Sequence, residues 1–243
     1  MDLLKQIDAL QKEIDSLRPL KKAELEQLRD YFKIGLTYSS NAIEGNTLTE
    51  SETKVVIEDG LTVHGKPLKD HYEAIGHAKA FDYLFELVKK EEIGEGDIKQ
   101  LHYLLYQKID DQQAGKYRKQ RVFLSGSRYP LPDPKKVPGL MNEMCSNFSK
   151  WKKSNHPVAY AAVIHKELEF IHPFVDGNGR VGRLIMNLAL LQAGYVVTII
   201  PPVRRPDYIS LLEKAHTDDK PFIEFIAECV LETQKDYLRL LNG

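Results

Sequence analysis

Residues 172–183 read His-Pro-Phe-Val-Asp-Gly-Asn-Gly-Arg-Val-Gly-Arg, and they combine more reactive groups than any other part of the 243-residue chain. The segments 159–170 and 183–192 on either side are strongly apolar and rich in helix formers, which predicts two helices. Proline disfavours the helical conformation of the residue before it, so Pro173 should end the first helix near His172. The motif therefore lies between two predicted helices.

The loop between these helices is suited to bind phosphate. Gly177, Asn178 and Gly179 enter a helix whose first N–H groups have no internal partners, and glycine lets the backbone approach phosphate oxygens closely. Arg180 and Arg183 are one helical turn apart, and each can hold a phosphate through two parallel hydrogen bonds. The spacing predicts a site for a nucleoside triphosphate.

Two further side chains add a base and a metal ligand. His172 has an ordinary pKa of about 6.5, which makes it the natural general base for a hydroxyl nucleophile. Asp176 supplies the hard oxygen ligand that Mg²⁺ prefers when it bridges phosphates. An accidental match at all of these positions is improbable in a chain of 243 residues.

From His172 to Arg183 the motif resembles the signature of the Fic (filamentation induced by cAMP) family at every fixed position, His-Pro-Phe-x-Asp/Glu-Gly-Asn-Gly-Arg-x-x-Arg. The resemblance implies a protein adenylyltransferase that moves AMP from ATP to a Ser, Thr or Tyr hydroxyl of a protein, with Mg²⁺ or Mn²⁺ as the metal. Doc-type relatives, which transfer the γ-phosphate, have lysine where this chain has Gly179, and this favours AMP transfer. Phosphocholine transfer, known for a divergent relative, has no positive support here.

The resemblance also implies individual roles. His172 takes the hydroxyl proton, Phe174 anchors the loop from below, and Asp176 holds the metal against the α- and β-phosphates. Asn187 matches a position that reads adenine in relatives. The residues implied to bind phosphate oxygens are Gly177, Asn178, Gly179, Arg180 and Arg183. Asn178 does so with its side chain, and the two arginines take the β- and γ-phosphates.

A second signal lies at 40–46, Ser-Asn-Ala-Ile-Glu-Gly-Asn. Residues 21–38 have an amphipathic helical pattern, and Ser40 and Glu44 share one face if that helix continues to Gly45. The segment is similar to the Ser/Thr-x-x-x-Glu-Gly/Asn motif of Fic proteins with an N-terminal inhibitory helix.

Such a glutamate has a clear physical consequence. The resemblance implies that Glu44 pairs with Arg183 and takes the place of the γ-phosphate, so that ATP binds with its α-phosphate turned away from in-line attack. Transfer would then be inhibited by the chain itself. A second reading stays open, in which Glu44 orients a water molecule that removes AMP from a modified target.

A candidate docking element lies between the two motifs. Residues 121–124 form a short β-prone run, 125–127 have turn composition, and 128–131 return before a proline-rich stretch. This looks like the Fic flap, a small β-hairpin whose edge pairs with an extended target segment. The residues assigned to target docking are Val122, Phe123 and Leu124.

The rest of the chain predicts a helical scaffold, with a capping box at Thr49 to Glu52. The fold class is mostly α, a Fic-type helical bundle with a small β-hairpin flap. Amphipathic patterns occur at 3–17, 69–91, 96–108, 136–152, 205–217 and 220–241. The predicted regions, expected to share one core, are an N-terminal helical region at 1–90 with the inhibitory helix at about 38–46, a Fic core at 95–217 and a C-terminal helix at 218–243.

Composition limits the partners. With 34 basic and 35 acidic residues the formal charge is −1, which argues against a nucleic-acid or membrane-surface role. The basic run 116–121 is interpreted as a solvated face. Cys145 and Cys229 are too few for a disulfide framework, and no signal peptide or membrane span is recognisable, so we expect a cytoplasmic protein. The expected partner is a protein substrate, the chain itself included, and a homodimer stays open.

Two other functions remain as alternatives. The spacing of His165, Glu169, His172 and Asp176 suggests a metallohydrolase, although His-Glu-x-x-His is absent and a proline interrupts the ligands. The chain is alternatively a non-catalytic nucleotide-binding interaction module that Glu44 holds permanently shut.

Overall fold

The computed structural model describes residues 3–242, which form ten α-helices joined by loops, one π-helical turn at Val55–Asp59 and two short 3₁₀ turns. No strand occurs in this part of the chain, so the prediction of a mostly helical fold is confirmed. Nor does any helix there combine the length and apolar character needed to cross a bilayer. The helices are α1 (Leu3–Ser16), α2 (Lys22–Ile43), α3 (Glu50–Lys54), α4 (Leu68–Leu87), α5 (Glu95–Tyr106), α6 (Val137–Ser154), α7 (Pro157–Ile171), α8 (Asn178–Gln192), α9 (Arg205–Lys214) and α10 (Lys220–Asn242).

The α7–α8 pair is the centre of the fold. Almost every residue of α8 is buried, because α2, α4 and α5 pack around it beside α7. Helices α6 and α10 pack on α7, and α1 and α9 pack on α10. One hydrophobic cluster extends from Ile7 in α1 to Leu238 in α10, so all three regions predicted from the sequence contribute to it. The loop between α7 and α8 is thereby held by two buried helices.

Local sequence explains how α2 ends and α3 begins. Helix α2 continues past the amphipathic stretch to Ile43, and Gly45 follows it with φ of +96°, a left-handed conformation that glycine adopts without strain. Thr49 Oγ1 accepts from the Glu52 backbone N–H at 3.2 Å, and Glu52 Oε2 accepts from the Thr49 N–H at 2.8 Å. This is the capping box that the sequence predicted.

The predicted β-hairpin flap is wrong: residues 121–131 form an irregular loop. Pro130 and Pro132 have no N–H group to donate to a strand ladder. The Arg128 N–H donates instead to Glu213 Oε1 in α9, at 2.7 Å. Because the return arm bonds to another helix, the first arm has no strand partner within the loop.

A substitution at Phe81 tests the assignment of the hydrophobic core. Its ring is fully buried in α4, so Phe81→Ala should lower the free energy of unfolding by about 3–5 kcal/mol through lost burial and a cavity. Val203 is 85 % exposed, and Val203→Ala should change stability by less than about 0.5 kcal/mol. Urea unfolding of both variants measures the difference. Equal stabilities would contradict the assigned core.

Candidate active site

His172 is the residue after α7 and has a left-handed backbone, with φ 49° and ψ 61°. It is the one non-glycine residue with positive φ between residues 3 and 242. Two bonds from Arg118 hold this conformation: Arg118 Nε donates to the His172 carbonyl at 2.7 Å, and the Arg118 N–H donates to the Pro173 carbonyl at 2.9 Å. An unfavourable backbone at the predicted base is therefore stabilised by a residue from the α5–α6 loop.

The burial of Arg118 corrects the interpretation of 116–121 as a solvated face. Lys116 and Lys119 are exposed, but Arg118 is 2 % exposed, and its guanidinium also donates to the carbonyl of Pro132 at 2.8 Å. Arginine carries five donors and satisfies several carbonyls at once, which explains its burial without a direct ion pair. Composition could not predict the burial of Arg118, because the equally charged Lys116 and Lys119 beside it are exposed.

The loop after His172 is closed by side chains of its own motif. Phe174 is fully buried and stacks on His102 of α5, with ring centroids 3.8 Å apart. Asn178 Oδ1 accepts from the Phe174 N–H at 2.9 Å, and Asn178 Nδ2 donates to the Phe174 carbonyl at 3.0 Å. The Asn178 side chain is thus occupied in shaping the loop, whereas the sequence-based expectation placed it on phosphate.

The first turn of α8 provides the charged end of the site. The first helical hydrogen bond of α8 runs from the Val181 N–H to the Gly177 carbonyl. The N–H groups before Val181 therefore have no partner within the helix, as is usual at a helix start. Asp176 accepts from the Gly177 N–H at 2.6 Å and from Arg180 Nη2 at 3.2 Å. Burial alone would raise the pKa of Asp176, but Arg180, the Gly177 N–H and Lys69 lower it below its usual value. The carboxylate is ionised and 44 % exposed.

Arg180 is held by a buried acid that the motif did not reveal. Arg180 Nη1 lies 2.8 Å from Glu73 Oε1 of α4, and both side chains are buried. Glu73 Oε2 accepts from Asn46 Nδ2 at 2.9 Å. Asn46 therefore connects the end of the predicted inhibitory segment to Arg180. The available signal was the acid pair Asp70 and Glu73 on the face of α4 that also carries small apolar residues.

Arg183 lies at the centre of the site and meets Ser40 and Glu44 of the N-terminal segment. Its Nη2 donates to Glu44 Oε1 at 2.6 Å and to the Ser40 carbonyl at 2.9 Å, and its Nε donates to Ser40 Oγ at 3.0 Å. Tyr208 of α9 completes the set, 3.2 Å from Arg183 Nη1. A Cβ atom on Gly179 would collide with the Glu44 carboxylate, so that carboxylate lies directly against the start of α8.

These contacts fix the charges around Arg183. Burial opposes its charge, yet Tyr208, Glu44 and Glu169 together raise its pKa above the usual value. Burial would raise the pKa of Glu44, but the charge and hydrogen bond of Arg183 lower it. Burial next to Glu44 raises the pKa of Glu169 to about 8, so that acid is protonated at neutral pH. The ionised carboxylate at Arg183 is that of Glu44.

Burial also determines the state of the predicted base. It lowers the pKa of the His172 imidazole to about 4, with Arg118 adding to the effect. His172 Nδ1 lies 3.7 Å from Glu169 Oε2. The imidazole is neutral at pH 7, the form able to accept a proton.

Asn187 does not face this site. The side chain is fully buried, where its Nδ2 donates to the carbonyls of Arg183 and Thr198, each at 3.0 Å, and its Oδ1 accepts from the Thr198 N–H at 2.6 Å. These bonds attach the segment after α8 back onto that helix. Both polar atoms of the Asn187 side chain are thus bonded within the chain, and the implied contact with adenine stays a prediction.

The arrangement gives no support to the metallohydrolase alternative. His165 is fully buried, and its Nε2 lies 2.9 Å from the Tyr208 hydroxyl. No cluster of three or more His, Cys, Asp or Glu side chains arranged to hold a metal occurs in the described chain, residues 3–242. Of the four residues noted in the sequence, Glu169 and His172 lie 3.7 Å apart, but the four together form no such cluster.

A family model matches the same region. Residues 92–190 match the model of the Fic/DOC family. The chain carries a Fic domain. That domain begins just before α5 and ends within α8, so it contains Arg118, the 121–131 loop and the 172–183 motif, while Glu44 lies outside it.

Proteins similar over most of this chain agree with the family match. The protein adenylyltransferase Fic of Drosophila melanogaster is 37 % identical over 238 residues, which are 95 % of this chain and 46 % of that protein. The chain thus spans about half the length of the curated relatives it matches. Fic-1 from C. elegans aligns with a TM-score of 0.88 at 28 % identity, covering 99 % of this chain and 72 % of that one. A Fic domain containing signaling protein from Bacteroides thetaiotaomicron aligns with a TM-score of 0.90 at 27 % identity, covering 98 % of both chains.

The buried histidines make stability depend on pH. Burial lowers the pKa of four of them to about 3 or 4: His77, His102, His165 and His172. Below pH 6.5 the unfolded chain binds protons at these positions and the folded chain does not, so the free energy of unfolding should fall from pH 6.5 to pH 5. Each net proton contributes about 1.4 kcal/mol per pH unit. Glu169 has the opposite effect on stability, because between pH 4.5 and about 8 it binds one proton in the folded chain that it does not bind in the unfolded chain.

Urea unfolding at pH 7, 6 and 5 measures this slope. His165→Gln should reduce the slope by the contribution of about one proton, because one buried histidine is removed. His64 is exposed, so His64→Gln should leave the slope as in the unmodified chain. A free energy that rises on acidification would contradict the assignment.

Proposed function

We propose that this chain is a protein adenylyltransferase, which transfers AMP from ATP to a Ser, Thr or Tyr hydroxyl of a protein with release of pyrophosphate. The observation that carries the proposal is the neutral His172 at the end of α7, across a short loop from the start of α8, where Arg180, Arg183 and free N–H groups form an anion site. The curated relatives are named protein adenylyltransferase Fic, and the likeness extends over nearly the whole of this chain.

The reaction follows from these groups. His172 accepts the proton of the target hydroxyl as its oxygen attacks the α-phosphorus of ATP. The bond between the α-phosphorus and the bridging oxygen to the β-phosphate breaks, and pyrophosphate leaves. Arg183 and the start of α8 stabilise the negative charge that develops on the departing oxygens. Positioning and charge stabilisation account for most of the catalysis in phosphoryl and nucleotidyl transfer.

Asp176 fits a divalent metal bound together with the nucleotide. Its carboxylate is ionised, partly exposed and next to the start of α8. Magnesium is commonly held by one or two carboxylates plus substrate phosphates, so a single acid at this place suffices. Bound there, Mg²⁺ or Mn²⁺ would neutralise charge on the phosphates.

Glu44 keeps the site in an inhibited state. It occupies Arg183 with a 2.6 Å ion pair and covers the α8 backbone at Gly179. A triphosphate needs the same cation and the same N–H groups, so the carboxylate and the γ-phosphate exclude each other. Transfer requires that Glu44 leave Arg183.

The loop 121–131 is the docking surface for the protein target. The backbone groups of Val122 and Phe123 have no hydrogen-bond partner within residues 3–242, and the Phe123 side chain is 87 % exposed. Unpaired backbone beside exposed apolar side chains suits an extended target segment that binds by strand addition. The loop does this without being a hairpin itself.

Removing the inhibitory carboxylate should activate transfer. Glu44→Gly is expected to raise AMP incorporation by roughly 5- to 150-fold, the range typical of a regulatory coupling, because Arg183 becomes available to the γ-phosphate. The measurement uses α-labelled ATP and Mg²⁺ with the chain itself and a total lysate, followed by mass spectrometry of labelled proteins. Glu91→Gly, at an exposed acid in a loop, is the control. Equal incorporation in Glu44→Gly and the unmodified chain would contradict the inhibitory role.

The base is tested in the activated background. Adding His172→Ala to Glu44→Gly should lower transfer by about 10²–10⁴-fold while ATP binding persists, because the phosphate site does not include the imidazole. Transfer and nucleotide affinity are measured separately, the latter by calorimetry. Nucleotide that binds to Glu44→Gly but is never transferred would support the non-catalytic alternative and overturn the proposed activity.

A further inference from the structure

The turn of the docking loop is fixed by a single carboxylate of α9. Ser127 Oγ donates to Glu213 Oε2 at 2.9 Å, and the Arg128 backbone N–H donates to Glu213 Oε1 at 2.7 Å. Both oxygens of Glu213 are therefore used by two consecutive loop residues. Hydrogen bonds to an ionised acceptor are stronger than neutral ones, so this contact fixes the position of the turn.

The next loop residue is held by stacked rings. Tyr129 stacks on His216, with centroids 3.9 Å apart, and His216 stacks on Phe170 at 3.6 Å. Phe170 lies in the last turn of α7, two residues before His172. Glu213 and His216 thus attach the loop to α9 and, through Phe170, to the helix that carries the proposed base.

The two ends of the loop, at Gln120 and Pro132, are held by Arg118. Its Nη2 donates to the Pro132 carbonyl, and its Nε donates to the carbonyl of His172. The loop borders a cavity of about 460 Å³, which Phe123, Leu124 and Tyr129 help to line. No strand ladder stabilises the loop, so its geometry depends on these attachments.

We propose that Glu213 and His216 are positioning residues that hold the 121–131 loop ready for an extended segment of the protein target. This rests on the proposed function of the loop as the docking surface. A loop held in its binding geometry avoids the entropy cost of ordering on binding, so losing the attachment should weaken target binding. Neither residue acts on the reacting atoms.

The structural part is tested without nucleotide or target. Trypsin cleaves after Arg121 and Arg128 when the loop is released, and Glu213→Ala should raise the cleavage rate at these bonds roughly tenfold, since two hydrogen bonds are lost. Glu213→Gln keeps one carbonyl acceptor and should give an intermediate rate. Glu224→Ala, at an exposed acid of α10, should match the unmodified chain. His216→Ala should raise cleavage independently of Glu213.

The functional part uses the Glu44→Gly background with α-labelled ATP. Protein labelling in a total lysate needs the loop, whereas the hydrolysis of ATP by water to AMP and pyrophosphate needs the nucleotide site alone. Glu213→Ala should lower the ratio of protein labelling to AMP release severalfold, Glu213→Gln should restore part of it, and Glu224→Ala should leave it unchanged.

The trypsin and labelling experiments together distinguish a failure of the positioning role from a failure of the proposed AMP transfer. Equal cleavage rates for Glu213→Ala and Glu224→Ala, or an unchanged labelling ratio with a released loop, would overturn the positioning role. Faster cleavage in Glu213→Ala combined with no AMP transfer by Glu44→Gly would overturn the proposed activity and leave the attachment of the loop established.

Discussion

The charge of Arg183 in the interior is the constraint on which the site depends. The side chain is 1 % exposed, and moving a guanidinium out of water costs several kcal/mol unless it is paired and fully hydrogen-bonded. The partners come from Ser40 and Glu44 at the end of α2 and from Tyr208 in α9. The packing of α2 against α8 is consequently coupled to an electrostatic requirement as well as to apolar burial.

That requirement is the physical basis of the proposed inhibition by Glu44. If Glu44 departs, Arg183 becomes a buried cation without a charged partner, and a triphosphate can restore the pairing. Asn46, two residues after Glu44, bonds to Glu73, which pairs with Arg180. Movement of the inhibitory segment therefore disturbs both arginines of the motif. In the proposed function, a carboxylate and a nucleotide are alternative partners of one set of cations.

The base depends on constraints from outside its own motif. The left-handed conformation of His172 is held by Arg118, whose guanidinium also fixes the end of the docking loop at Pro132. Burial keeps the imidazole neutral, and the protonated Glu169 beside it adds no negative charge. One arginine thus connects the geometry of the base to the surface on which the target is proposed to bind.

Local sequence determined the parts of this protein that depend on neighbouring residues. The helical periods, the turn before Pro173, the start of α8 and the capping box at Thr49 are set by contacts within a few residues, so the sequence predicted them. The pairing of Glu44 with Arg183, 139 positions apart, was predicted from the resemblance to a family pattern, because spacing alone could not identify it. Tertiary structure decided the remaining features: the irregular docking loop, the burial of Arg118, the acid Glu73 beside Arg180 and the inward position of Asn187. Each of these depends on which helix supplies the partner of a polar group, and that choice follows from the packing of distant segments around α8.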